Sequence, residues 1–367
     1  MRRAAILAAT RVPRAVPRCW SLAVAGTWSR FLSLLVVGLP HAAAETTTEL
    51  ENALTHEDAH MKIGRLGVWA QADCLTASAE AEFAREVEQW GYSALWTPEA
   101  MGRDVLVNSA WLLANTRKLV IASGIANIFA RDGMAMAARR VQLNEQSGGR
   151  FLLGMGISHA PIVSAIRGHI YEKPVTTMRT YVEAMTHAQY SSPRPSDSTL
   201  TVIAALGPKM LALARDVADG AHPYNTTVAQ TAEARAVRGP NKLLCVEQKV
   251  LLETNAARAR EIARAYLRPY LRLPNYVNSW RRAGFDDSDF TDNGSNRLVD
   301  TLVAWGDEDA LVGRIREHWQ ASADHVCIQA LYADPSKSTL DGPNVDLIQR
   351  LAPLARESNT APSVAAH

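Results

Sequence analysis

Apolar runs of strand length alternate with amphipathic stretches of helix length eight times between residues 61 and 331, which predicts an α/β fold, a (β/α)8 TIM barrel. Two further observations support it. Eight strand–helix pairs over about 270 residues suit a closed barrel better than an open doubly wound sheet. No Gly-x-Gly-x-x-Gly opens the first helix, so the signature of a dinucleotide-binding sheet is missing.

The elements follow in order. A first strand over 63–69 leads to a helix over 78–90 that Gly91 ends, and a second strand over 92–97 leads to a helix over 105–116. The third strand, 119–125, is followed by a helix over 133–146, which Gly148-Gly149 terminates because glycine accepts the left-handed turn at a helix end. Strand four covers 151–157. After an irregular stretch come a helix over 177–188 and a Ser/Pro-rich loop over 191–198. Strand five, 201–206, runs into a helix over 209–217, and strand six, 220–223, into one over 228–237. Strand seven, 243–252, precedes a long helix over 256–271, and a helix over 309–320 precedes strand eight, 325–331. Residues 274–300, rich in Asn, Asp and Arg, read as an insertion over the barrel mouth, and 336–367 as a C-terminal helix and tail.

Residues 1–60 stand apart. Residues 1–44 carry six arginines, no lysine and no acid, with the apolar run Phe31-Leu-Ser-Leu-Leu-Val-Val-Gly-Leu39 before His41-Ala-Ala-Ala44. That run is too short to span a bilayer. The segment reads as an over-extended start, since Met61 directly precedes the first strand, or as a cleaved targeting segment. On the first reading the protein is cytoplasmic, on the second exported. Lys+Arg at 39 against Asp+Glu at 37 gives a net charge of +2, which makes neither nucleic acid nor an anionic membrane a default partner and leaves a small molecule. Cys19, Cys74, Cys245 and Cys327 form no CxxC pair and are expected to be buried or half-buried free thiols.

Barrel chemistry is built on the loops after the C-terminal ends of the strands. There stand Glu99, a candidate proton donor or acceptor; Asn127, Phe129 and Arg131; Gly154, Gly156 and His159; and His222 with Tyr224. The segment Ala204-Ala-Leu-Gly-Pro208 runs straight into a helix, so free amides and the positive helix end offer an anion site. No His-x-His on an early strand supports a metal hydrolase, and no Gly-x-Ser-x-Gly a serine hydrolase. An anion-holding, glycine-lined mouth suits a phosphate-bearing organic cofactor.

Several runs together make the chain resemble the luciferase-like monooxygenase superfamily, and within it the branch of coenzyme F420-dependent oxidoreductases. They are Gly91-Tyr-Ser-Ala-Leu-Trp-Thr-Pro-Glu99, Ala122-Ser-Gly-Ile-Ala-Asn-Ile-Phe-Ala-Arg-Asp132, Gly149-Arg-Phe-Leu-Leu-Gly-Met-Gly-Ile-Ser-His-Ala-Pro161, Leu206-Gly-Pro-Lys-Met210, Asp219-Gly-Ala-His-Pro-Tyr224, Leu273-Pro-Asn-Tyr276, Val303-Ala-Trp-Gly-Asp307 and Ala323-Asp-His-Val326. Their order and spacing carry the resemblance. It implies a flavin or deazaflavin over the strand ends, a non-prolyl cis peptide at Gly124-Ile125 behind the ring, and the cofactor phosphate at Ala205, Leu206 and Gly207. It also implies cofactor contacts from Asn127, Gly156, Ser158 and His222, with Glu99 or His159 handling a proton during hydride transfer. On the same scaffold an FMN-dependent monooxygenase using reduced flavin and O2 is the alternative, and a cofactor-free binding relative the second. The substrate is unread; the loops 161–176 and 274–300 offer Arg167, His169, Tyr171, Asn275, Tyr276, Arg281 and Arg282 to a ligand or to a second subunit, a homodimer being one expectation.

Overall fold

The computed structural model describes residues 63–334 and 336–360, all within the second of the two compact units into which the chain divides, residues 57–367. The expected extension over residues 1–60, with Cys19, lies outside the described residues.

The strands are β1 (Leu66–Trp69), β2 (Ala94–Thr97), β3 (Val120–Ser123), β4 (Ala126–Asn127), β5 (Phe151–Gly156), β6 (Thr201–Ala204), β7 (Gly220–His222), β8 (Leu243–Leu252), β9 (Val303–Gly306) and β10 (His325–Ala330). Neighbours pair in parallel from β1 round to β8, and β10 closes the ring by pairing with both β8 and β1. β3 and β4 form one stave, interrupted at Gly124-Ile125, whose peptide bond is cis. All eight strands read from the sequence are present, with ends shifted by up to a few residues. β9 is a strand the sequence reading missed. β7 pairs only with Leu243 and Leu244 at the start of β8, which leaves the far end of that edge free; β9 takes it, pairing from Lys249 to Leu252.

The helices lie between the strands because each carries one apolar stripe and needs the outer face of the sheet to bury it. They are α1 (Ala77–Gln89), α2 (Val105–Asn115), α3 (Gly133–Ser147), α4 (Pro174–Thr186), α5 (Pro208–Val217), α6 (Val228–Arg238), α7 (Ala256–Leu267), α8 (Pro274–Arg282), α9 (Asn296–Leu302), α10 (Glu308–Gln320), α11 (Val345–Arg350) and α12 (Ala352–Thr360). Side-chain oxygens cap most N-termini: Thr76, Asp104, Asp132, Asn255 and Asp307 each accept from a first-turn amide, and Thr227 with Gln230 forms a reciprocal capping box. Gly148, at φ 65°, closes α3 in the left-handed conformation, as expected. The long helix expected over 256–271 stops at Leu267 and gives way to a 3-10 turn over Tyr270–Arg272. The insertion carries α8, a 3-10 turn over Asp287–Phe290 and the start of α9. α11 and α12 pack back on the barrel: Tyr92 Oη donates to Ile348 O at 2.7 Å, and Asn359 exchanges hydrogen bonds with both backbone groups of Leu66.

Two apolar layers result. Outside the sheet, Leu66, Val68, Leu95, Ile121, Phe151 and Leu153 pack against the helices. Inside the barrel stand Trp69, Trp96, Ala122, Leu152, Val202, Cys245 and Cys327. Glycine is required where β5 meets β3, because a Cβ on Gly154 would lie 2.1 Å from Ser123 O. Cys245 and Cys327 are buried free thiols, whereas Cys74 is exposed, contrary to expectation, since it stands in the turn before α1 rather than on a strand. No helix among the described residues is long and apolar enough to cross a membrane.

Candidate active site

The C-terminal ends of the strands bring Glu99, Gly124, Ile125, Asn127, Gly156, Ser158, His159, Ala205, Leu206 and Gly207 to one rim of the barrel. Glu99 is not a free carboxylate there. Its Oε2 accepts from the Asn127 N–H at 2.7 Å and from Arg131 Nη1 at 3.1 Å, and its Oε1 is bonded to Arg131 Nη2. Both side chains are buried, at 4% and 5% exposure, and Arg131 also reaches Asp104 at 3.0 Å. Glu99 therefore ties the loop after β2 to the loop after β4, and moving a proton at its carboxylate means breaking that pair. Asn127 is 1% exposed. Its Oδ1 accepts from the Phe129 N–H at 3.0 Å, while its Nδ2 has no partner. Phe129 packs against His169 and Tyr171, with ring centroids 5.7 and 6.3 Å away, rather than standing open to a ligand.

After β5, Ser158 takes φ 56°, in the left-handed region, and turns the chain so that His159 reaches Tyr276 of α8, ring centroids 5.6 Å apart. Burial pushes the His159 imidazole below its ordinary value, opposed by the side chain of Asn275, so it is neutral at pH 7. Its Nδ1 is buried and unpartnered. After β7, both amide atoms of Asn225 are likewise buried without a partner. His222 lies deeper, at 2% exposure within the barrel. It stacks on Trp96 at 4.5 Å, its Nδ1 bonds Cys245 O at 2.9 Å, and burial pushes it down to about 4. The structure thus separates His222 from the rim residues.

The loop after β6 forms a cradle. No side chain caps α5; Pro208 stands in its first turn and Gly207 at its N-cap. Arg282 of α8 donates from Nη2 to Leu206 O at 3.1 Å, and its guanidinium passes 3.2 Å from where a Gly207 Cβ would sit. A helix N-terminus with a guanidinium beside it is suited to a phosphate.

Residues the sequence reading missed line the inner side of the mouth. Glu247 and Lys249 point inward from β8 as a fully buried ion pair, with Nζ 2.9 and 2.8 Å from the two carboxylate oxygens. Lys249 Nζ stands 4.0 Å from the Tyr224 ring centroid and 5.1 Å from that of Tyr266. Tyr224 Oη donates to Gln329 Oε1 at 2.9 Å and joins the hydroxyls of Tyr266 and Tyr270 at 2.9 and 3.1 Å. Two charges at alternate positions in the largely apolar run Leu243-Leu-Cys-Val-Glu-Gln-Lys-Val-Leu-Leu252 were the available signal, because alternation puts both on one face of the strand.

Comparison with known proteins places the barrel among known folds. The family model for luciferase-like monooxygenases matches residues 60–325. The chain belongs to that family. Membership makes it an oxidoreductase. A protein of Mycobacterium tuberculosis named, by inference, a coenzyme F420-dependent oxidoreductase is 25% identical over 260 residues, 59% of this chain and 73% of its own. Among solved structures, the coenzyme F420-dependent tetrahydromethanopterin reductase from Methanopyrus kandleri superposes with a TM-score of 0.63 at 16% identity, covering 79% of this chain and 98% of that one. A type II Baeyer–Villiger monooxygenase of Pseudomonas putida in complex with FMN gives 0.58 at 12% identity, covering 82% and 100%. Both superpositions establish the barrel.

Proposed function

We propose that this oxidoreductase is F420-dependent and transfers a hydride between the deazaflavin C5 and a small organic substrate. The observation that carries the reading is the set of buried polar atoms without partners on the rim, Asn127 Nδ2, His159 Nδ1 and the Asn225 amide, together with the phosphate cradle beneath Arg282. A buried unpaired polar group costs about 1–3 kcal/mol, so several at one rim fit a polar, planar ligand that satisfies them. When bound, the deazaflavin supplies two-electron hydride chemistry.

The residues present fit that group. The Gly207 end of α5 and Arg282 would hold the phosphate, with Ala205 and Leu206 shaping the loop. Gly124, Ile125, Gly156 and Ser158 would back the ring, and Asn127 and Asn225 would bond its polar edges. Neutral His159 would hold or move the proton that accompanies hydride transfer, since its Nδ1 is available and its environment disfavours the imidazolium. Glu99, locked to Arg131, would position Asn127 rather than exchange protons, and His222 would support the site from the barrel interior.

The test is a titration of the full chain with oxidised F420 and, in parallel, FMN. Binding of F420 at least tenfold tighter than FMN, about 1.4 kcal/mol, and weakened by Asn127→Ala, supports the reading. Tight FMN with weak F420 transfers the proposal to an FMN-dependent monooxygenase using O2, which the likeness to an FMN-bound barrel favours. Binding of neither leaves a cofactor-free role.

A further inference from the structure

Arg238 presents a puzzle at the end of the barrel opposite the mouth. It continues the buried face of α6, after Gln230, Thr231 and Ala234, and is 1% exposed. None of its three guanidinium nitrogens, Nε, Nη1 or Nη2, has a hydrogen-bond partner. The acid that acts on it through space, Asp324, is bonded to other groups. Asp324 Oδ2 accepts from Arg235 Nη2 at 2.5 Å and from the Leu244 N–H at 2.7 Å. The carbonyls past the end of α6, at Gly239 and Lys242, accept from Arg235 Nη1 at 2.9 and 2.8 Å. The neighbouring Cys245 thiol is pushed up by burial and stays neutral. Burial lowers Arg238 only to about 10, so the guanidinium remains charged at pH 7.

Asp324 acts on Arg238 through space without bonding it; a buried cation with no bonded partner is unfavourable, and a guanidinium offers paired N–H donors suited to an anion. We propose that Arg238 holds a small monovalent anion at the N-terminal end of the barrel, a site separate from the cofactor cradle and structural in role. The available chemistry is that of a chloride-sized halide or a planar oxyanion such as formate, either of which takes one edge of the guanidinium.

The test compares the full-length protein with Arg238→Met in thermal melts, adding chloride, bromide or formate against HEPES at constant ionic strength. Wild type is expected to gain melting temperature saturably with the anion, and Arg238→Met to show no saturable gain. Without a small anion Arg238→Met is expected to melt above wild type, since it buries no unpaired charge, so that the two curves cross as anion is added. The order of potency among the three anions separates the halide from the oxyanion. Parallel responses in the two proteins, or a gap that does not depend on anion, would overturn the proposal. If Arg238→Met does not fold, chloride-35 line broadening and formate-dependent melting of wild type decide: a saturable response to either anion that is reduced in Arg238→Lys supports the site, and no response to either, or one unchanged in Arg238→Lys, overturns it.

Discussion

Replacing Lys249 with methionine removes a buried charge while keeping the length of the side chain, so the cost it reports is mostly electrostatic. In the native protein Nζ contacts both oxygens of Glu247, and neither side chain exceeds 1% exposure. Without it, the Glu247 carboxylate stays buried with the Asn225 N–H, at 3.2 Å, as its remaining bonded donor. Stranding one partner of a buried pair costs about 3–5 kcal/mol, because the remaining ion has lost both water and counter-charge. At about 2–4 °C per kcal/mol for a domain of this size, the melting temperature should fall by roughly 6–20 °C. Urea unfolding followed by tryptophan fluorescence gives the free energy directly. The double variant Lys249→Met/Glu247→Leu removes both charges and should recover most of the loss. A single variant that loses less than about 1 kcal/mol, or a double variant as unstable as the two singles added, would refute the coupling.

Acid should destabilise the fold through its buried histidines. Burial holds His222 at about 4, His318 at about 3 and His325 at about 4, against 6.5 unfolded. Their neutral forms contribute stability that is complete above pH 6.5 and is lost as pH falls from 6.5 to the folded values, at up to about 4 kcal/mol per pH unit while all three differ. Urea midpoints that stay level from neutrality down to about pH 5 would contradict this. His159, displaced downward by burial, should titrate below 6.5 by imidazole NMR; a value above it would remove the neutral base from the proposed chemistry. Gly207→Val should crowd Arg282 and weaken F420 at least tenfold with little change in melting temperature, because the atom it meets is the end of an exposed, flexible side chain. Arg131→Met should strand buried Glu99, cost about 3–5 kcal/mol and also weaken F420, with circular dichroism reporting the first effect and the titration the second.

The crossover pattern was legible because strand and helix periods differ and because caps such as Asp104, Asp132 and Asp307 mark where helices begin. β9 was not legible: four residues between a helix and a cap hold no period, and their pairing depends on β8 outrunning β7. The rim was readable in outline, since strand ends locate it, but the state of each side chain there was not. Glu99 looked like a lone acid at the mouth until Arg131, thirty-two positions on, closed over it. His222 looked like a rim residue because its loop is short, yet the pleat turns it inward onto Trp96.

Local pattern by itself determined the barrel, the crossover order, the uncapped helix that follows β6 and the residues of the strand-end loops, because periodicity, capping and glycine placement act within a few residues of one another. Only the tertiary structure decided which charges are paired, that Arg282 of the insertion completes the cradle, that Lys249 and Glu247 lie beneath a tyrosine cluster, and that Arg238 is buried without a bonded partner. Those outcomes depend on which distant segments meet in a medium that has excluded water, where the presence or absence of one partner changes the energy of a charge by several kcal/mol.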